Sequence, residues 1–206
     1  MYSFLRFIFK VITQLINGRV NVKNKNKLPD GNYILVGPHR AWFDMLFFAL
    51  AASPKKFTFL AKKELFNNFI LRYILNKVNA IPVDRQKPGP SVIKKPVKLL
   101  RTTDLSIIIF PSGSRHSDEL KAGAALISKL AGVPLVPVVY QGPLSFKQLF
   151  TRKPVSVAFG DPIQFDRKSK INDEEQAKLE AQMQASFDQL DHEIDPNFKY
   201  VDVSKK

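Results

Sequence analysis

No cysteine occurs among the 206 residues, which removes disulfides, thiolate metal sites and a cysteine nucleophile from consideration. Acidic residues are scarce: 18 Asp and Glu stand against 32 Lys and Arg, a net charge of +14. A surface so charged attracts polyanions, whether nucleic acid, a phosphorylated substrate or anionic lipid. Long apolar runs are missing too, and without about 20 uninterrupted apolar residues a conventional membrane span is not expected. The three histidines show no metal-ligand spacing of the HExxH kind, and Gly-x-Ser-x-Gly, the elbow of many serine hydrolases, is absent.

The chain is long enough for one substantial core, so a single domain with appendages is expected. Its basic excess concentrates in residues 55–101, where many lysines and arginines face only Glu64 and Asp84. At the N-terminus, Ser3, Arg6, Lys10, Thr13, Gln14 and Asn17 recur at steps of three and four, tracing a polar helical stripe. The opposite face carries Phe4, Leu5, Ile8, Phe9, Val11, Ile12 and Leu15. That pattern fits an in-plane interfacial helix or one packed on the protein's own core. Residues 17–20 make a poor signal-peptide cleavage site, so the segment reads as retained.

Further on, β-rich runs at 33–36, 57–60, 80–83, 106–110, 135–140 and 155–159 alternate with helical patterns at 43–51, 64–75, 92–102 and 122–131. The order is that of an α/β domain. Runs such as Ile107-Ile108-Ile109-Phe110 predict strands buried on both faces. A last helix starts at Asn172, with Glu175 completing a capping-box pattern and Leu179, Met183, Phe187, Leu190 and Ile194 forming an apolar seam.

Two sites stand out. In Gly37-Pro38-His39-Arg40-Ala41-Trp42-Phe43-Asp44, the histidine and the carboxylate lie five residues apart. Within one regular helix they would diverge by about 140 degrees, so they meet only if His39 lies in a turn ahead of the helix. Pro38 supplies that turn. Asp44 would then fix the imidazole tautomer and leave the other nitrogen to take a proton from substrate. In Phe110-Pro111-Ser112-Gly113-Ser114-Arg115, a buried strand ends in a polar turn whose amides and arginine suit an oxyanion. Arg85, in Ile81-Pro82-Val83-Asp84-Arg85, ends another strand and can serve the same anion or pair locally with Asp84. The combination points to chemistry on a phosphorylated alcohol. Trp42 reads as core or mouth packing, or as a ring that meets lipid or an acyl chain. His116, next to Arg115, reads as an exposed turn histidine or an accessory of the site, and His192 as helix surface.

In order, HRAWFD, IPVDR, FPSGSR and the run Gly132-Val133-Pro134-Leu135-Val136-Pro137-Val138 resemble the four sequence blocks of the PlsC-type glycerophospholipid acyltransferase family. The resemblance, which covers roughly residues 29–160, implies a single mixed-sheet α/β acyltransferase domain flanked by helices; with the N-terminal pattern, the expected division is an amphipathic membrane-surface helix over 1–18 and the domain over 19–206. It implies acyl transfer from acyl-CoA or acyl-carrier protein to the free hydroxyl of lysophosphatidic acid, giving phosphatidic acid. His39 would be the general base and Asp44 its orienter. Arg85, Gly113, Ser114 and Arg115 would hold the acceptor phosphate, while Ser112, Val136 and Pro137 would border the acceptor or acyl site. Neither metal nor prosthetic group is implied, and no nucleic acid partner is expected. An anionic membrane at the cytoplasmic face would be the place of work.

The chain departs from the family at three positions: Ser112 replaces the usual Glu, Ser114 the usual Thr, and Pro38 a frequent Asn. The first removes a carboxylate that would accept from a glycerol hydroxyl or pair with an arginine. Other lysolipids or glycerol 3-phosphate are the alternative acceptors. A non-enzymatic basic membrane-binding protein and a thioesterase are the readings from other classes.

Overall fold

The apolar runs assemble into one seven-stranded sheet in a computed structural model that describes residues 2–84, 87, 89–110, 117–165 and 172–200, the stretch 117–122 by its backbone alone. The strands are β1 (Asn21–Lys23), β2 (Ile34–Val36), β3 (Lys56–Lys62), β4 (Ile81–Val83), β5 (Leu105–Ile109), β6 (Leu135–Gln141) and β7 (Ser156–Phe159), in the order β1-β7-β6-β2-β5-β3-β4. From β6 to β4 all neighbours are parallel. β7 runs antiparallel to β6, and β1 runs parallel to β7, so the sheet is mixed. In its centre Ile34 lies opposite both Ile107 and Leu135.

The helices are α1 (Tyr2–Asn17), α2 (Asp44–Ala51), α3 (Phe69–Lys77), α4 (Ser91–Thr102), α5 (Ser117–Ala131), α6 (Phe146–Leu149) and α7 (Asp173–Ile194). Going from β2 to β3 the chain crosses the sheet one way, and from β4 through β5 to β6 it returns. Right-handed crossovers therefore put α2 on one face and α4 and α5 on the other. Successive strand residues point to opposite faces, which divides the core in two. Ile34, Ile107 and Leu135 meet Leu100 of α4, Ile127 of α5 and Phe187 and Leu190 of α7. Their sequence neighbours Leu35, Ile108 and Val136 meet Phe47 and Phe48 of α2, with Phe9 of α1 packed against them. Burial on both faces is what the unbroken apolar runs required.

All six expected strands form, and α7 begins as expected, with the Asn172 side chain accepting from the Glu175 backbone at 2.9 Å. The helix expected over 64–75 is instead split into a 3-10 turn (Lys63–Asn67) and α3. Between them Asn68 adopts an extended backbone and its side chain accepts from Ile70 and Leu71, so it caps a new helix rather than continuing the old one. Strand β1 and helix α6 went unread, because three polar-flanked residues and a single turn carry too little periodicity.

Helix α1 has three faces. Phe9 packs edge-on to Phe47 with ring centroids 5.2 Å apart, and Arg6 donates to the Pro54 and Lys55 carbonyls, so one side rests on the protein. Arg6, Lys10, Thr13 and Gln14 border a cleft of about 670 Å³ that contains no residue of the His39 turn. Phe4, Phe7, Ile8, Val11, Ile12 and Leu15 are left exposed. The helix thus packs on the core along one side and leaves an apolar stripe exposed on another. Among the described residues, no helix is long and apolar enough to cross a membrane.

Candidate active site

Strand β2 stops at Val36 against β6, and only glycine fits next: a Cβ on Gly37 would lie 2.4 Å from the Val138 carbonyl oxygen. Pro38 then turns the chain, and α2 starts at Asp44, whose side chain is fully buried. Its carboxylate accepts from the backbone N–H of Arg40 at 2.9 Å, Ala41 at 3.2 Å and Met45 at 2.8 Å. One side chain thus satisfies amides on both sides of the helix start and complements its positive end.

The same carboxylate lies 3.1 Å from His39 Nδ1. A ring nitrogen facing a carboxylate is the N–H donor, which leaves Nε2 with its lone pair to accept a proton. The ring is stacked on Phe110, with centroids 4.4 Å apart, and Phe110 in turn lies 6.0 Å from Phe48. His39 is therefore held at one nitrogen and on one face, with its side chain part exposed. The sequence pair meets as the turn geometry demands.

Sequence reasoning gave no role to Arg40. Its guanidinium donates to the Tyr140 carbonyl at 2.9 Å and to both oxygens of Asp191 in α7, one at 2.7 Å. Gln141 Nε2 also donates to Asp191, and the guanidinium lies over the Phe198 ring, 4.9 Å from its centroid. A buried fork of this kind fixes a turn rigidly. No sequence signal marks it, since its partners come from the far end of the chain. Burial, with the Asp44 carboxylate as a secondary influence, pushes the Tyr140 hydroxyl above the ordinary tyrosine range. It stays protonated and donates to the Pro143 carbonyl at 2.8 Å.

β2, β4 and β5 are parallel, so the segments that follow them leave the sheet at one end, where ligands bind in open α/β sheets. The contact between His39 and Phe110 shows two of these segments meeting. After β4, Asp84 pairs with Lys63 Nζ at 2.5 Å and accepts from the Lys87 backbone at 3.1 Å. Arg85, Ser112, Gly113, Ser114, Arg115 and His116 lie outside the described residues. Val136 and Pro137 are in mid-sheet: Val136 has no exposed surface, and Pro137, also buried, accepts from the Gly160 backbone N–H at 2.8 Å. His192 is exposed on α7, and Trp42 is exposed beside the His39 turn. Among the described residues, no three acidic or histidine side chains gather as a metal site would need.

Residues 19–141 match a family model described as acyltransferase. The chain is 44% identical over 194 residues to the 1-acyl-sn-glycerol-3-phosphate acyltransferase of Streptococcus pneumoniae, covering 93% of this chain and 74% of that one. It is 38% identical over 199 residues to the protein of the same name from Bacillus subtilis, covering 95% and 99%. In fold it resembles the crystal structure of the PlsC 1-acyl-sn-glycerophosphate acyltransferase from Thermotoga maritima, with a TM-score of 0.66 at 19% identity over 92% of this chain and 80% of that one.

Proposed function

The chain belongs to the acyltransferase family, and we propose that it moves a fatty acyl group from acyl-CoA or acyl-carrier protein to the free hydroxyl of 1-acyl-sn-glycerol-3-phosphate, giving phosphatidic acid. The observation that carries the reading is the His39 Nδ1 to Asp44 contact at 3.1 Å, made by a carboxylate already saturated with backbone donors. Such a carboxylate has no freedom to turn away, so the imidazole keeps one tautomer. Nε2 takes the proton of the acceptor hydroxyl as its oxygen attacks the thioester carbonyl. The carbon–oxygen bond forms, the carbon–sulfur bond breaks, and the proton passes to the departing thiolate.

Arg85 and Arg115 hold the acceptor phosphate in this scheme, with the Gly113 and Ser114 amides approaching it closely. The sequence Pro111-Ser112-Gly113-Ser114-Arg115 has the composition for that work. Ser112, where relatives of this family usually have Glu, shapes the acceptor side. Acceptor and product are lipids, and the protein works as a peripheral enzyme on an anionic membrane at the cytoplasmic face. Support for this comes from the exposed apolar stripe of α1 and from residues 1–29, which contain lysines and arginines but no acidic residue.

The test is turnover by the purified protein and its His39→Ala variant. Lysophosphatidic acid is supplied with acyl-CoA or acyl-carrier-protein donors, other lysolipids and glycerol 3-phosphate run in parallel, and products are identified by mass spectrometry. Phosphatidic acid formed by the wild type alone is the expected result. Undiminished product from His39→Ala would remove the base, and a different acylated product would reassign the acceptor.

A further inference from the structure

Three large aromatic side chains lie together on the surface beside the catalytic turn. Trp42 is 62% exposed, Phe146 59% and Phe150 61%. The indole is stacked on Phe146 with centroids 6.5 Å apart, and Phe146 meets Phe150 edge-on at 5.6 Å. Inward the rings continue without a break: Trp42 to Phe43 at 5.4 Å, Phe43 to Phe47 at 6.0 Å, Phe47 to Phe9 of α1 at 5.2 Å.

Around the exposed rings stand Lys147, Arg152 and Lys153, all exposed, and residues 142–160 contain no acid. α6 is firmly seated: Ser145 accepts from the Gln148 backbone at 3.3 Å, and the Gln148 side chain accepts from Leu144 at 2.8 Å. Asn17, the last residue of α1, donates to the Leu149 and Lys153 carbonyls at 3.0 and 3.1 Å. The cluster is thus braced to α1 both through its ring path and through hydrogen bonds.

We infer that Trp42, Phe146 and Phe150 form a second lipid-contacting surface that inserts at the headgroup boundary of an anionic bilayer and seats the His39 turn there. The inference rests on the peripheral-membrane reading above and extends it from α1 to the catalytic loop. An indole, apolar with one N–H edge, prefers that boundary, the two phenyl rings add apolar area beside it, and the cationic rim matches lipid phosphates. Trp42 is only three residues from His39, so its depth sets the depth of the base. A hydroxyl next to a lipid headgroup lies at the same level.

Trp42 is the chain's single tryptophan, so intrinsic fluorescence reports this site alone. The full-length protein is mixed with vesicles of phosphatidylglycerol and phosphatidylcholine, and binding is measured separately by sedimentation. The expected result is a blue shift on vesicles, with quenching by lipids brominated in the upper acyl chain. In the Phe146→Ser/Phe150→Ser variant, with its fold checked by circular dichroism, vesicle affinity falls on the order of tenfold. Sedimentation with unshifted, unquenched emission would overturn this inference and leave the membrane reading standing, whereas absence of sedimentation would end both. A blue shift induced by acyl-CoA without vesicles, unaffected by brominated lipid, would assign the rings to the donor chain. A concentration-dependent shift in protein alone would assign them to a second copy. Either of these also overturns it.

Discussion

Arg40 and Asp191, 151 residues apart in the chain, form a largely buried two-pronged ion pair that fastens the His39 turn to helix α7. The Arg40 and Asp191 side chains are only 7% and 15% exposed, so removing either partner strands a largely buried charge. Arg40→Met is expected to cost about 3–5 kcal/mol in urea unfolding. Arg40→Met/Asp191→Leu should recover much of that loss, and a double-mutant cycle showing simple additivity would mean the two side chains act independently.

Asp44→Asn replaces one carboxylate oxygen by an amide that faces backbone donors and the His39 ring. Under the proposed function, kcat falls by about 10²- to 10⁴-fold, as loss of an oriented general base implies. His39→Ala falls comparably, and the double variant falls no further. Full activity in Asp44→Asn would show that the ring needs no orienter.

Gly37 and Gly31 make a matched pair. A methyl on Gly37 meets the Val138 backbone oxygen at 2.4 Å, while one on Gly31 meets nothing within 4 Å. Gly37→Ala is expected to cost at least about 2 kcal/mol, from strain between β2 and β6. Gly31→Ala should stay within about 0.5 kcal/mol. Thermal melts of the two variants decide it.

Burial raises the Tyr33 and Tyr140 hydroxyls above the ordinary value of 10.0. Above that pH the unfolded chain gives up phenol protons that the folded chain keeps, so the folded state binds more protons and stability falls as pH rises. Their contribution is intact below pH 10 and is lost through the alkaline range, by up to about 1.4 kcal/mol per pH unit for each tyrosine. Urea unfolding from about pH 9 to about pH 11 should show this slope, and Tyr33→Phe should reduce it. An unchanged slope in that variant would place the lost protons elsewhere.

On α1, Phe4 is 60% exposed and Leu15 78%. Phe4→Ser/Leu15→Ser therefore changes folding stability by no more than about 0.5 kcal/mol, while affinity for anionic vesicles falls on the order of tenfold. Sedimentation at low and high salt separates this apolar part from the cationic part, which salt screens. Unchanged vesicle binding would take α1 out of the membrane contact.

The elements that could be read in advance are those written locally. Ile107, Ile108 and Ile109 announce a strand buried on both faces whatever its neighbours, and Asn172 with Glu175 marks where α7 begins. His39 and Asp44 were legible as a pair because a proline-initiated turn and a helix start lie within eight residues. Asn68 shows the limit of such reading: its capping role depends on the chain turning there, which apolar periodicity alone does not reveal.

Composition, the alternation of elements and the HRAWFD turn were determined by the sequence alone, because each depends on residues a few positions apart. Tertiary structure decided the strand order that places β7 antiparallel beside β6, the burial of Val136 and Pro137, and the grip of Asp191 on Arg40. It also brought Phe110 against His39 and Phe146 against Trp42. Each of these joins residues tens to more than a hundred positions apart, and such contacts are selected by how whole faces of strands and helices fill one core. No local pattern carries that information.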